Sequence, residues 1–266
     1  MTGAEAAAPQ ISSSLALGPN ASRRSGVLVT FRDPVLYSVA LRLQQQCHAE
    51  RLAGSRNDTL LLLEHLPVYT AGRATRPLHL RPEPASLDNV PIPIEAVNRG
   101  GSVTYHGPGQ LVAYPILRLS DYAPGAKSYV HMLEEVLIRT LRRVGIQGYR
   151  MAKTPGVWVS DRNGDAKIAS IGARIDRGIT FHGFALNVVN DLRPFSNIVP
   201  CGLDGCRMTS LAEILEAPVS MPAVYGHLIG EFSAVFRVEW TVRVSEGLKT
   251  TAADAEPVST SEYRWR

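Results

Sequence analysis

Apolar residues recur along the chain at two spacings, one typical of helices and one typical of strands. Within residues 129–144 they fall three and four positions apart, as on a helix with one buried face, at Tyr129, Met132, Leu133, Val136, Leu137, Leu141 and Val144. The same spacing nearer the end of the chain predicts another helix, with apolar residues at Val224, Leu228, Ile229, Phe232, Val235 and Phe236. Residues 237–244 then alternate apolar with polar side chains, which predicts a strand.

The first part of the chain predicts a strand followed by a further helix. Residues 26–31 are rich in β-branched and apolar side chains, as strands are. Asp33 and Pro34 follow as the predicted N-cap and first helical residue, and this helix is predicted to end near Gly54.

Five short β-rich runs lie between the helices, mostly bounded by Gly, Pro, Asn or Asp, at residues 60–63, 112–117, 157–159, 168–175 and 179–187. Asp176, Arg177 and Gly178 separate the last two runs and are typical of a hairpin turn. Part of the sheet is then antiparallel, which disfavours a purely doubly wound Rossmann arrangement. We therefore predict an α/β (α+β) fold, a mixed sheet with flanking helices.

Length and local composition bound the domain organisation. A chain of 266 residues suits one large domain or two small ones. Residues 1–25 are rich in Ala, Ser, Gly and Pro, and residues 246–266 in Thr, Ala, Ser and Glu. We predict a disordered leader and a flexible tail on either side of a folded region at residues 26–245.

The overall composition narrows the cellular setting and the partners. No apolar run approaches the roughly 18 residues of a membrane span, and the start of the chain does not read as a signal peptide. Three cysteines do not make a disulfide framework, so we predict a cytoplasmic protein that does not bind membranes. The net charge of +4 comes without a long Lys or Arg run, which gives little support to nucleic-acid binding and leaves an acidic partner protein open.

Residues 99–110, with the sequence RGGSVTYHGPGQ, form the stretch that most strongly indicates a ligand. Its glycines allow backbone N–H groups to approach a ligand closely, and Arg99, Tyr105 and His106 supply polar groups that orient it. The spacing matches neither a P-loop nor a Rossmann motif. A tight connection between two strands is the alternative interpretation.

Lys167 opens a second informative segment, which continues through the predicted hairpin to residue 187. Strand alternation predicts that Lys167 shares one face with Ala169, Ile171 and Ala173. Apolar surroundings disfavour the charged form of a lysine, which makes Lys167 a candidate proton acceptor. The alternative is a surface lysine whose ammonium reaches solvent.

Cys201 stands between Pro200 and Gly202, a context that holds its thiol on a constrained turn. Cys206 is less constrained, and Cys47 is predicted to be an ordinary thiol within a helix.

Two kinds of chemistry can use Cys201. A zinc site with Cys206 and either His182 or His106 is one, but the spacing of the two cysteines matches no familiar ligand pair. The other is acyl transfer through a thioester, which needs a nucleophilic cysteine, a proton acceptor such as Lys167 or His182, and backbone donors for an oxyanion.

Together with residues 64–73 (EHLPVYTAGR), these segments resemble the lipoyl(octanoyl) transferase family, whose enzymes move an octanoyl chain from acyl carrier protein to a lysine of lipoyl domains. The matching blocks are residues 64–73, 99–110, 167–172, 181–187 and 200–202, all in the family order. Leu66 stands where a second proline is expected, and the leader and tail lie outside the resemblance.

The resemblance implies a fold like that of biotin- and lipoate-protein ligases, with residues 26–245 as a single catalytic domain. It also implies that Cys201 accepts the acyl group and that Lys167 activates this cysteine. His182 and His106 are implied to border the acyl-substrate pocket, where either would orient Lys167 or relay a proton. The alternative is that each is a hydrogen-bonded histidine of the core. The substrate-binding residues implied are Arg99, Gly100, Gly101, Ser102, Val103, Thr104, Tyr105, His106, Ser170, Ile171, Gly172, Gly183, Phe184 and Ala185.

The implied reaction takes octanoyl-acyl carrier protein as donor and passes through an acyl-Cys201 intermediate. Lipoyl domains of 2-oxoacid dehydrogenase complexes and the glycine cleavage H protein are the implied acceptors, in the first step of endogenous protein lipoylation. The oxyanion would lie near Gly172 or Gly183, and the acyl chain between Phe184, Ile171 and Val103. No metal, nucleotide or other cofactor is implied, because the thioester is already activated.

Three alternatives remain open at this point. An ATP-dependent lipoate or biotin ligase would require ATP for modification, and the chain lacks a Gly-Arg-Gly-Arg type of loop. A cysteine thioesterase would release the acyl group to water. A non-catalytic docking module would need neither Lys167 nor Cys201.

Overall fold

A computed structural model describes residues 23–81, 86–87 and 90–245 of the chain. The predicted tail and all but the last three residues of the predicted leader lie outside these ranges. The first strand begins two residues earlier than predicted, at Arg24. Within the described ranges, each helix is too short or too polar to cross a bilayer.

The described residues form four α-helices and thirteen β-strands. The helices are α1 (Tyr37–Ala53), α2 (Ala126–Arg143), α3 (Leu211–Leu215) and α4 (Met221–Phe236). The strands are β1 (Arg24–Phe31), β2 (Asp58–Leu63), β3 (Val68–Ala71), β4 (Ser86–Leu87), β5 (Val90–Pro91), β6 (Ile94–Ala96), β7 (Val103–His106), β8 (Gln110–Ile116), β9 (Tyr149–Met151), β10 (Thr154–Asp161), β11 (Gly164–Asp176), β12 (Ile179–Asn187) and β13 (Val238–Ser245).

Eight of the described strands form one sheet in the order β13-β1-β2-β8-β12-β11-β10-β9. β1 runs parallel to β13 and β2, and the other neighbours are antiparallel. This arrangement confirms the predicted mixed sheet. Arg177 and Gly178 join β11 to β12 in the predicted hairpin. Their φ values are 49° and 81°, as expected because a tight hairpin turn needs positive φ at both central residues.

Strand β2 explains why the sheet is covered on both faces. Leu60 and Leu62 pack in the core that includes α2 and α4, whereas Leu61 and Leu63 pack in the core that includes α1. All four leucines are fully buried, as expected for a continuous apolar strand between two layers. The result is an α/β/α sandwich.

The predicted start of the first helix is wrong, although its end is confirmed. Val35 donates its backbone N–H to the carbonyl of Glu64 at 2.8 Å and forms a bridge with His65, so the chain is still extended after Pro34. The helix therefore begins at Tyr37. It ends at Gly54, whose φ of 79° is typical of a left-handed C-cap.

We expect Phe232→Ala to lower the free energy of unfolding by about 3–5 kcal/mol. The Phe232 ring is fully buried and stacks on Phe236 with centroids 4.2 Å apart, so alanine leaves a cavity under α4. Urea unfolding followed by circular dichroism measures the change. Ala234→Ser, on the exposed side of the same helix, should stay within about 0.5 kcal/mol of the wild type, and equal losses in both variants would contradict the packing argument.

Candidate active site

A cavity of about 280 Å³ lies where β11 and β12 of the large sheet face the loop before β7 and the turn at residues 200–202. It collects residues from all the chemically informative segments of the sequence. The predicted site residues that line it are Arg99, Gly100, Gly101, Ser102, Thr104, His106, Lys167, Ser170, Ile171, Gly172, His182, Gly183, Phe184, Ala185 and Cys201.

Val103 and Tyr105 do not line this cavity, which corrects their predicted placement. Both lie on β7, where successive side chains point to opposite sides of the strand. Thr104 and His106 line the cavity, whereas Val103 and Tyr105 are buried in a separate apolar cluster. The predicted acyl slot therefore loses Val103 and keeps Ile171 and Phe184.

Lys167 and Cys201 meet at the wall of the cavity. The Lys167 ammonium donates to the Cys201 sulfur at 3.4 Å and lies 5.5 Å from the centre of the Trp158 ring. Lys167 is only 1% exposed, so the alternative of a surface lysine is wrong. No carboxylate of the described residues forms a salt bridge with Lys167, and a buried ammonium is costly without an anion. The Cys201 sulfur is the hydrogen-bond partner of this ammonium group.

A β-bulge in β11 decides which way Lys167 points. Val157 pairs with Ala169, but the next residue, Trp158, pairs with Lys167, so Ile168 is an extra residue in the ladder. Ile168 and Ala169 pack in the core beneath α2, and Lys167 faces the cavity. The predicted sharing of one face by Lys167 and Ala169 is therefore wrong.

The chain after Cys201 returns to β11 and fixes the distance between the two candidate groups. Lys167 donates its backbone N–H to the carbonyl of Arg207 at 2.8 Å, and Thr209 donates to the carbonyl of Lys167 at 3.0 Å. Cys201 itself has φ 58°, a left-handed conformation that is uncommon for residues other than glycine. This strained turn presents the sulfur to the cavity, where the Ser170 hydroxyl lies 3.8 Å away.

The two other cysteines differ from Cys201. Burial and the neighbouring Cys201 raise the pKa of Cys206 to about 11, so Cys206 is a neutral thiol at neutral pH. Cys47 lies within α1, as predicted, where it is fully buried, and burial raises its pKa as well. Among the described residues, no three His, Cys, Asp or Glu side chains are grouped as a metal site.

His106 and His182 line the cavity as neutral rings. His106 donates from Nδ1 to Oε1 of Gln110 at 2.7 Å, and the Nε2 atom of His182 is 2.8 Å from Oδ1 of Asn98. Burial lowers the pKa of each ring to about 3. Neither histidine forms a hydrogen bond with Lys167, so the geometry gives no direct support to either as its orienting partner.

His65 completes a buried group of imidazole and phenol rings behind the cavity. It donates from Nδ1 to the carbonyl of Val35 at 2.9 Å and accepts from the Tyr114 hydroxyl at Nε2, 2.7 Å away. Burial lowers its pKa to about 4. Its ring lies 5.6 Å from that of His106, so protonation of either ring places a charge in the core beside the other.

We expect the protein to lose stability as the pH falls from 7 to 5. The pKa values of His65, His106 and His182 are lowered in the folded state, so below about pH 6.5 the unfolded chain binds protons that the folded chain does not. Each ring then contributes a slope of up to about 1.4 kcal/mol per pH unit. Urea unfolding at pH 7, 6 and 5 measures the change in the free energy of unfolding with pH. His131→Gln, at an exposed histidine, should keep the slope, whereas a flat profile in the wild type would contradict the prediction.

Glycines are required where β11 and β12 pass the cavity. Gly172 and Gly183 are directly paired across the two strands. A Cβ atom on Gly183 would lie 2.1 Å from the carbonyl oxygen of Ala113, and one on Gly172 would lie 2.9 Å from Cδ of Arg99. The buried Arg99 guanidinium donates to the carbonyl of Thr70 at 2.6 Å, which holds the side chain beside Gly172.

Sequence reasoning missed several residues around the cavity. Tyr37 at the start of α1 and Tyr114 on β8 lie in its wall, and neither belongs to a motif. His79 accepts from the Ser102 hydroxyl at Nδ1, 2.6 Å away, and its ring would be 3.0 Å from a Cβ atom on Gly202. It thus supports the turn that carries Cys201. The remaining unpredicted wall residues are Val112, Val130, Lys153, Thr154, Pro155, Ala173 and Leu203.

Comparisons with known proteins show which family the chain resembles. The family model of the lipoyl protein ligase A/B catalytic domain matches residues 36–233. An octanoyltransferase of Chloroflexus aurantiacus is 46% identical over 213 residues, which cover 79% of this chain and 94% of that protein. An octanoyltransferase of Syntrophotalea carbinolica is 44% identical over 201 residues, covering 76% of this chain and 90% of the relative.

Solved structures show the same fold at much lower identity. A lipoate-protein ligase A bound with ATP superposes with a TM-score of 0.61 at 18% identity, over 85% of this chain and 90% of that one. A bipartite lipoate protein ligase of Thermoplasma acidophilum, solved in work on that ligase and its E2 lipoyl domain, gives a TM-score of 0.60 at 16% identity, over 84% and 88% of the two chains. These likenesses confirm the predicted fold class.

Proposed function

Because the chain belongs to the lipoyl protein ligase A/B catalytic domain family, within its group of octanoyltransferases, we propose that it transfers octanoyl groups through an acyl-Cys201 thioester. The donor is octanoyl-acyl carrier protein, and the acceptor is a specific lysine of a lipoyl domain. The observation that carries this proposal is the buried contact of 3.4 Å between the Lys167 ammonium and the Cys201 sulfur at the cavity wall.

In the first half-reaction the Cys201 thiolate attacks the carbonyl carbon of the donor thioester. A carbon–sulfur bond to Cys201 forms, and the bond to the sulfur of the carrier breaks. The departing carrier thiolate takes a proton from the Lys167 ammonium and leaves as a thiol. Only a small fraction of a free cysteine is ionised at neutral pH, so the adjacent ammonium supplies what the nucleophile needs.

In the second half-reaction the neutral amine of the acceptor lysine attacks the acyl-Cys201 carbonyl. An amide bond forms, the Cys201 sulfur leaves as a thiolate, and neutral Lys167 takes the proton that the amine loses. This step restores the starting ammonium and thiolate. Protons and charges therefore balance over the two half-reactions with Lys167 as the single proton carrier.

The cavity provides a place for the acyl chain and for the developing oxyanion. Ile171, Phe184 and Ala185 give it apolar wall from β11 and β12. The backbone at Gly172 and Gly183 also faces this space, and N–H groups there are the proposed oxyanion donors. The adjoining neutral His106 and His182 bring no competing charge to the acyl site.

Lipoyl domains of 2-oxoacid dehydrogenase complexes and the glycine cleavage H protein are the proposed acceptors. One of the structurally similar proteins is a lipoate protein ligase described together with its E2 lipoyl domain, which supports a lipoyl domain as the macromolecular substrate. The proposed reaction is the first step of endogenous lipoylation, in the cytoplasm, and uses no metal or nucleotide.

Intact-protein mass spectrometry tests the proposal directly. The wild-type chain is mixed with octanoyl-acyl carrier protein without ATP or added metal. We expect one octanoyl adduct, which disappears when a lipoyl domain is added while the octanoyl mass moves to that domain. An absolute requirement for ATP would identify a ligase instead, and loss of the adduct to water without any acceptor would identify a thioesterase.

A further inference from the structure

A second cavity adjoins the candidate active site. It measures about 600 Å³ and lies between the first half of α2 and the hairpin that joins β9 to β10. We call it the α2–β10 groove, and define it by Lys127, His131, Glu134, Arg150, Lys153 and Thr154. Val130 and residues 153–155 line both cavities, so the two spaces share a wall.

The shared wall is close to the reacting groups. Glu134 on α2 accepts from the backbone N–H of Gly156 at 3.2 Å, which ties the start of β10 to the helix. Gly156 has φ 129°, and a Cβ atom there would lie 2.6 Å from Cε of Lys167. The missing side chain leaves room for the lysine, and this stretch of β10 lies against Lys167 on one side and lines the groove through Thr154 and Pro155.

Positive charge in the groove is only partly neutralised. Arg150 donates to Glu134 at 3.1 Å and to Glu135 at 2.7 Å, and these contacts satisfy the carboxylates as well as the guanidinium. Lys127 and Lys153 are exposed, and neither forms a salt bridge with a described residue. Two unpaired ammonium groups beside a cavity are suited to an anion such as a phosphate.

The proposed reaction supplies a ligand with matching chemistry. In the proposed reaction the donor thioester has its carbonyl at Cys201 and its acyl chain in the smaller cavity. The part of the donor on the thiol side of the carbonyl must then extend out of that cavity. In a carrier protein this portion is a phosphopantetheine arm, which is long, uncharged for most of its length and ends in a phosphodiester. A groove next to Lys167 and Cys201, with two lysines that form no salt bridge with a described residue, fits such an arm.

We infer that the α2–β10 groove binds the phosphopantetheine arm of the acyl donor, with its phosphodiester held by Lys127 and Lys153. The inference rests on the proposed function, because it assigns the groove to the donor of that reaction. It makes these two lysines determinants of donor recognition and gives them no part in the chemical step.

Steady-state kinetics of charge-removing variants test the inference. The double variant Lys127→Ala/Lys153→Ala is expected to raise the KM for octanoyl-acyl carrier protein about tenfold, as two solvent-accessible contacts with a charged group would predict. The kcat should stay unchanged, as should the KM for the lipoyl domain. Arg142→Ala removes one exposed charge from the far end of the same helix and should change none of these constants.

A donor series locates the phosphate. Octanoyl-pantetheine lacks the phosphodiester, so the double variant and the wild type should use it equally well. An equal rise in KM for octanoyl-pantetheine would overturn the inference, and so would a rise only for the lipoyl domain, which would assign the groove to the acceptor. A rise confined to octanoyl-coenzyme A would assign it to a free nucleotide thioester, and no change with any substrate would leave the groove without this role.

Binding without turnover separates this inference from the proposed function. Calorimetry should show that the wild-type chain binds carrier protein with its arm more tightly than carrier protein lacking it, and that the double variant loses this preference. If the preference is found but no octanoyl transfer occurs, the proposed function fails alone. If transfer occurs and no preference is found, the groove inference fails alone.

Discussion

Cys201→Ala is expected to form no octanoyl adduct and to transfer octanoyl groups about 10⁴- to 10⁶-fold more slowly than the wild type, because removal of a nucleophile also removes what its partners support. The sulfur of Cys201 is the atom that Lys167 contacts at 3.4 Å. Intact mass after mixing with octanoyl-acyl carrier protein and single-turnover transfer to a lipoyl domain measure the two effects.

Cys206→Ala is the matched control for this variant. Cys206 belongs to the same segment, but its pKa is raised to about 11, so it is a poor nucleophile at neutral pH. We expect the Cys206→Ala variant to form the octanoyl adduct and to keep nearly the full rate of octanoyl transfer. Transfer that survives in Cys201→Ala and disappears in Cys206→Ala would show that the wrong cysteine has been assigned.

Lys167→Met is expected to slow transfer by about 10²- to 10⁴-fold, the range that proton transfer by a positioned side chain contributes. Methionine keeps most of the buried volume beside Trp158 and removes the ammonium that faces Cys201. The rate of alkylation of Cys201 by iodoacetamide at neutral pH should fall too, because the thiolate loses its counter-charge. Thermal unfolding checks that the variant is folded.

Ser170→Ala provides the comparison for Lys167→Met. The Ser170 hydroxyl lies 3.8 Å from the same sulfur but carries no charge, so we expect less than about a tenfold effect on transfer, the size of a modest hydrogen bond. If Lys167→Met keeps wild-type transfer and alkylation rates, Lys167 has neither of the proposed roles, whatever the result for Ser170.

Periodicity and β-rich composition together predicted α2, α4 and all but one strand of the large sheet, because these elements are long and regular. The helix predicted within residues 129–144 is α2, and the run at residues 60–63 is most of β2, whose leucines alternate between two cores. The predicted start of α1 was wrong because a bridge between Val35 and His65 holds the chain extended, whereas Asp33 and Pro34 indicate the start of a helix. Local capping signals cannot report such a contact.

Which residues belong to the site could be predicted better than where their side chains lie. Most of the residues implied by the family resemblance, which the comparisons confirm, do line the cavity. The resemblance did not exclude Val103 and Tyr105, since that requires knowing which face of β7 turns to the cavity. Nor could spacing show that Lys167 meets Cys201, because that contact depends on the backbone pairing of residues 207–209 with β11.

The extra residue in β11 separates the positions that chemistry constrains from those that folding constrains. Lys167 and Ser170 face the cavity, whereas Ile168 and Ala169 lie in the core beneath α2. Substitutions at the first pair change the groups beside the Cys201 sulfur, whereas substitutions at the second pair change the packing beneath α2. Deletion of Ile168 would restore a regular ladder with Lys167 still opposite Trp158, so it would remove packing beneath α2 without turning the lysine away from the cavity.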